Sequence, residues 1–231
     1  MFSGFTDDTI RFFLDLKFHN STEYFHQEHK RYLEDVQKPF YEMIQSLSPM
    51  MLDIDPRMEI RPFKCLSHIH RDTRFTRDKS PYRDHLWFLF RRAAEPRDQS
   101  LFYFFEFGPD RLAWGMGFWG ENRNAMDVFR SKMLSHPEEI AGVIDPFMSN
   151  RRNLQLGGSV HKRLACPSTI PERLRRWYLI KEMYIGRESI PYEWAFSERV
   201  LKETEKDFSI LAPLYRMFRG MTDEAIIERR I

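Results

Sequence analysis

Cysteine is nearly absent from this sequence. The 231 residues contain two, Cys65 and Cys166, with no CxxC spacing around either. That excludes a disulfide scaffold and a four-thiolate zinc site, and it fits a reducing compartment. Long apolar runs are missing too. A membrane span needs about 18 consecutive apolar residues, whereas the segment LWFLF is closed at once by Arg91 and Arg92. The amino terminus, MFSGFTDDTIRFF, has no basic stretch, unbroken apolar segment or small-residue cleavage site, so no secretory signal is expected and a cytoplasmic location is.

Charge of one sign is scarce as well: 36 basic residues face 34 acidic ones. No global field draws the chain onto nucleic acid, so any anion site must be local, and a nucleic-acid partner ranks below a small anionic ligand. The glycine-rich and catalytic signatures of common enzymes are also missing. There is no nucleophile elbow, no Walker loop and no zinc-protease helix. Gly115 to Gly120 spells G-x-G-x-x-G, but it sits in what reads as half of an antiparallel hairpin with aromatics filling the loop, so strand glycines are expected rather than a dinucleotide site.

Aromatics are what the chain has in plenty. Phenylalanine alone contributes 21 residues and the aromatic share is 15%, which points to a core of large flat side chains. One domain spanning residues 1–231 is the expectation for this length. Thr6 followed by Asp7 and Asp8 predicts a helix start. A second helix is predicted from Asn20 or Ser21, with a stripe at Phe25, Tyr32, Val36, Phe40, Ile44 and Leu47 and a kink or restart at Pro39.

From Arg57 onward short β-rich runs follow: Cys65 to His70, His85 to Arg91, Leu101 to Phe107 and Arg111 to Trp119, the last two joined by a Gly108-Pro109-Asp110 turn. Further strands are expected in Leu154 to Val160 and Tyr178 to Ile185. Helices are expected at Asn122 to Leu134, after Ser135 with a capping-box spacing to Glu138, and from Pro191 until Pro213 interrupts. The fold class is therefore α+β, a central antiparallel sheet with helices from both chain ends packed against it.

The densest chemistry lies between Arg71 and Arg83. Arg71, Arg74, Arg77, Lys79 and Arg83 are set against Asp72 and Asp78, a local surplus of three positive charges. Arginines oriented by aspartates bind carboxylate or phosphate as forks, a lysine adds a point charge and Tyr82 adds a hydroxyl. Lys162 and Arg163 supply a second basic pair. The alternative is a structural Arg-Asp network in a non-enzymatic module that binds a protein or nucleic acid. His68, His70 and Asp72 share one face if the segment is a strand, but hydrogen-bonding or surface histidines are the expectation, not a metal site; the same holds for His26 and His29. No cofactor is indicated, and no reaction class.

The stretch RDTRFTRDKSPY, residues 71 to 82, resembles the signature of a mainly bacterial family known as domain of unknown function 2461, which shares R-x-x-R-D-x-R-F followed by D-K-x-x-Y. Arg71, Asp72, Arg74, Phe75, Asp78, Lys79 and Tyr82 match it. Looser likeness runs through residues 13 to 25, AWGMGFWG, VHKR at 160 to 163 and APLYRMF. Two positions depart: His68 stands where the family has arginine, and His19-Asn20 where it has paired asparagines. The resemblance implies a family-wide site at residues 71 to 82 and names no substrate.

Overall fold

The computed structural model describes residues 1–74, 76–96 and 99–228. The helices are α1 (Asp7–Phe18), α2 (Thr22–Gln27), α3 (His29–Arg31), α4 (Lys38–Ile54), α5 (Pro62–Cys65), α6 (Arg123–Ser135), α7 (Pro137–Met148), α8 (Arg175–Leu179) and α9 (Arg199–Glu228). The strands are β1 (Leu86–Arg91), β2 (Leu101–Gly108), β3 (Arg111–Phe118), β4 (Leu154–Gly157) and β5 (Tyr184–Arg187), in the sheet order β1-β2-β3-β5-β4. The sheet is antiparallel, with Met116 opposite Ile185 and Ile185 opposite Leu156. This is an α+β fold. No helix among the described residues is long and apolar enough to cross a membrane.

The chain divides into two compact units, the first comprising Met1–Phe90, Phe104–Trp114 and Ser189–Lys206, the second Arg91–Tyr103, Gly115–Glu188 and Asp207–Ile231. In the first, the Thr6 hydroxyl accepts from Thr9 N–H and starts α1 as its sequence predicts. Ser21 does the same for α2. Phe25, Tyr32, Val36, Phe40, Ile44 and Leu47 of the predicted stripe are buried, whereas His29, on the same line, is exposed. Phe40 of α4 packs on Phe88 of β1 and Phe105 of β2, and Phe105 also stacks on Phe88 at 5.3 Å. Fully burying one such ring stabilises by roughly 1.5–3 kcal/mol.

Around Pro39 the helix changes its winding, and α4 begins at Lys38 with Pro39 in its first turn. Tyr32–Gln37 form a π-turn that runs directly into α4, and Lys38 N–H bonds the Leu33 carbonyl five residues back. Pro39 has no N–H to offer the Asp35 carbonyl four residues earlier. Thr9 of α1 supplies the missing donor, its Oγ1 giving a 2.6 Å hydrogen bond to that carbonyl.

In the second unit Tyr103 of β2 lies 4.7 Å from Phe208 and 5.2 Å from Tyr215 of α9. Phe118, Phe129 and Trp177 gather around Phe218 on the same helix. Gly115 and Gly117 are strand glycines: a Cβ on Gly115 would lie 1.9 Å from the Ile185 carbonyl oxygen, so β3 and β5 approach only because it is absent.

Several expectations need correction. Cys65 to His70 is not a strand. Pro62–Cys65 make one helical turn and the rest forms only isolated bridges, Leu66 with Phe88 and His70 with Tyr82. The Ser67 hydroxyl takes the Trp87 N–H at 3.1 Å, where a regular ladder would use a backbone carbonyl. Tyr178 lies in α8, and only Tyr184–Arg187 of that region is a strand. Ser135 does not cap α7; the N-cap is His136, without a side-chain bond, and Ser135 Oγ donates to Ser131 O. Pro191 opens a short 3-10 turn, Tyr192–Phe196, and α9 then passes through Pro213, its buried Leu211, Leu214, Tyr215 and Phe218 outweighing the lost backbone bond.

Candidate functional site

The loop from Arg71 to Arg83 is closed at its base. Arg71 N–H donates to Pro81 O at 2.8 Å and Arg83 N–H to Ile69 O at 2.9 Å. Asn20, at the end of α1, holds the same base from outside: its Nδ2 donates to Tyr82 O at 3.0 Å and its Oδ1 accepts from Tyr82 N at 2.9 Å. The Tyr82 ring is 2% exposed and stacks on Phe25 at 4.3 Å. Tyr82 is therefore the loop's anchor.

Each aspartate of the loop does two things at once. Asp72 Oδ1 accepts from Arg74 N at 3.2 Å, bending the chain two residues on, and the carboxylate takes Arg74 Nε at 3.0 Å and Nη2 at 2.8 Å. Asp78 Oδ1 accepts from Ser80 N at 2.9 Å, and its Oδ2 pairs with Arg71 Nη1. The Arg74 side chain, with its backbone N–H, draws the Asp72 carboxyl down to about 2. Ser80, then Arg71, hold the Asp78 carboxyl below its usual range. Both are anions at neutral pH.

Lys79 Nζ donates to Thr73 O at 2.7 Å, and Lys79 and Arg77 are exposed. The Arg83 guanidinium lies 4.8 Å from the Trp87 ring centroid, a cation–π contact. His68 and His70 are exposed. No group of three or more histidine, cysteine, aspartate or glutamate side chains among the described residues could hold a metal ion. Phe75 of the signature lies outside the described residues.

The structure thus brings Arg71, Asp72, Arg74, Asp78, Lys79 and Tyr82 into one loop of the first unit. Lys162 and Arg163 belong to the second unit, both exposed on a bend that follows the bridge between Val160 and Ile180.

Three groups were not singled out from sequence. Asn20 stands out in the sequence as a candidate helix start and as a departure from a family pattern, not as a site residue. Asp84-His85 meets Glu106 across the sheet: His85 Nδ1 is 2.8 Å from Asp84 Oδ1, and its Nε2 is 3.4 Å from Glu106 Oε1, which Arg111 also contacts at 3.2 Å. Burial pushes the Asp84 carboxyl up, but His85 outweighs it and holds the group below its ordinary range. Asp207, fully buried, pairs with Arg152 and, at 2.9 Å, with Arg187. Adjacency in sequence could have flagged Asp84 with His85; nothing local announces Glu106 or Asp207.

Fold and loop together define an α+β protein with a cation-bearing, aspartate-braced surface loop. The family model described as conserved hypothetical protein (DUF2461) matches residues 8–217, and the chain belongs to that family. A search of curated proteins found no match.

Proposed function

We propose that the chain binds a small anionic ligand, bearing phosphate or carboxylate, on the loop from Arg71 to Arg83. One observation carries this reading: the loop is fixed from within by its two aspartates, yet it keeps a surplus of three positive charges, two of them on exposed Arg77 and Lys79. Lys79 spends one ammonium proton on Thr73 O, and an ammonium has three. A rigid loop with donors directed at solvent loses little entropy when an anion arrives. Asp72 and Asp78 act as positioning residues for Arg74 and Arg71. A cytoplasmic location belongs to the same reading, since Cys65 and Cys166 form no disulfide.

The closure of both ion pairs inside the loop favours a second reading, an interaction module in which the Arg-Asp network only shapes the surface. The two separate in a thermal-shift panel of phosphorylated and carboxylated metabolites. A ligand at a hundred times its Kd adds about 2.7 kcal/mol, so the melting temperature of the native protein should rise further than those of Lys79→Ala and Arg74→Ala, checked for folding by circular dichroism. If no ligand raises the native melting temperature beyond the shift seen in those variants, the anion reading fails.

A further inference from the structure

The second unit holds a concentration of cations separate from the loop. It is assembled by an unusually close lacing of two segments. Gly158 has φ +98°, and a Cβ there would lie 1.6 Å from the Glu182 carbonyl oxygen. Because it is glycine, the chain leaving β4 presses against residues 179 to 182. Ser159 O accepts from both Lys181 N (2.8 Å) and Glu182 N (3.4 Å), and His161 N donates to Leu179 O at 2.8 Å.

That lacing carries His161 and Lys181 to Glu121, just before α6. Arg123 Nε stands 3.5 Å from the Glu121 carboxylate, Lys181 Nζ 3.5 Å and His161 Nε2 3.9 Å. Charge-assisted bonds between a cationic nitrogen and a carboxylate are about 2.7–2.9 Å long. All three contacts are longer, so these nitrogens surround the carboxylate without being saturated by it. Glu121 Oε1 is closed to solvent and accepts no hydrogen bond. Burial pushes its carboxyl up, but Arg123 and Lys181 prevail and hold it below the usual range.

One negative charge cannot neutralise Arg123 and Lys181 together, and exposed Lys162 and Arg163 follow His161 in the chain. Glu182 is engaged elsewhere, accepting from Ser159 Oγ at 2.9 Å. The surrounding groups are reachable from solvent, the Lys181 side chain being 39% exposed and that of Arg123 75%.

We propose that Arg123, Lys181 and His161 form a second anion site that takes a phosphate group, with Glu121 as the tethered counter-ion that the phosphate displaces. A phosphate offers three or four oxygens around one centre and more charge than a carboxylate, so Arg123, Lys181 and the His161 ring each gain a short direct bond that Glu121 cannot give all of them. Lys162 and Arg163 add attraction from the rim.

The test is calorimetric titration of the full chain with inorganic phosphate, at ionic strength held constant with sodium chloride. Lys79→Ala serves as the parent so that the first loop contributes nothing. In that parent, Glu121→Gln removes the competing carboxylate and should tighten phosphate binding about tenfold. Lys181→Ala and Arg123→Ala should weaken it by a similar factor. The proposal is overturned if Glu121→Gln binds no more tightly than the parent, if neither binds, or if Lys181→Ala changes nothing. Should Glu121→Gln fail to fold, Glu121→Asp, which draws the carboxylate back by one methylene, is judged by the same criteria. A native protein that ligands stabilise no more than they stabilise Lys79→Ala would sink the loop reading and leave this one standing.

Discussion

Asn20 engages Tyr82 as a neighbouring strand would, its amide nitrogen giving a hydrogen bond to the Tyr82 carbonyl at 3.0 Å and its amide oxygen receiving one from the Tyr82 N–H at 2.9 Å. A single side chain thereby satisfies both backbone groups of a residue whose ring is 2% exposed. Asn20→Ala removes both bonds and should cost about 1–3 kcal/mol, with partly buried backbone groups left unpaired. Asn20→Asp keeps the acceptor and loses the donor. Urea unfolding of the three proteins should rank wild type above both variants; equal midpoints would refute the clamp.

The Thr9 hydroxyl stands in for the N–H that Pro39 lacks, and Thr9 is fully buried. Thr9→Val preserves shape and leaves the Asp35 carbonyl without this donor, so about 1–3 kcal/mol of stability should be lost. In a Pro39→Ala background the helix can supply its own N–H, and the same substitution should cost measurably less. A double-mutant cycle by chemical denaturation reads this difference, and purely additive losses would rule the compensation out.

Asp72 titrates at about 2 instead of its ordinary 3.8, chiefly because Arg74 holds its ionised form. The sign follows: a depressed carboxylate contributes stability that is complete above the unfolded value and is lost as pH falls through the folded one. Here the window runs from about 4 down to about 2. Carboxyl carbon resonances followed by NMR should give a midpoint near 2 in the native protein, returning toward 3.8 in Arg74→Ala. A midpoint near 3.8 in both would dissolve the pair.

Asp207 is fully buried between Arg152 and Arg187. Neutralising it takes the buried carboxylate away from two guanidinium groups in a poorly solvated place, so Asp207→Asn should destabilise by about 3–5 kcal/mol. Thermal and urea unfolding together check the loss, and a variant within half a kilocalorie of wild type would contradict it.

Much of this could be read from the chain before its structure. Thr6, Ser21 and Asn122 announced helix starts because short polar side chains accept orphan N–H bonds, and all three do so. Gly108-Pro109-Asp110 announced the hairpin by the same kind of local chemistry. What stayed hidden depended on partners far along the chain. Pro213 reads as a helix end, yet its neighbours on α9 are buried in a core no local rule reveals. The charged loop was found by composition, and the Asp72-Arg74 pair spans two residues and is legible. The pairing of Arg71 with Asp78, the bond from Lys79 to Thr73 and the grip of Asn20 required the chain to turn first.

Tyr32, Val36, Phe40 and Ile44 follow one another at intervals of four, and all are buried. Four residues of an α-helix overshoot a full turn by about 40°, so three such steps would carry an apolar line about 120° around the axis and out of the core. The wider π-turn at Tyr32–Gln37 underwinds the chain and absorbs part of that drift. The unbroken spacing of four is thus the written trace of an underwound helix. A chain of this family that closed the turn by deleting one residue would have to return its stripe to alternating steps of three and four to keep the same face inward.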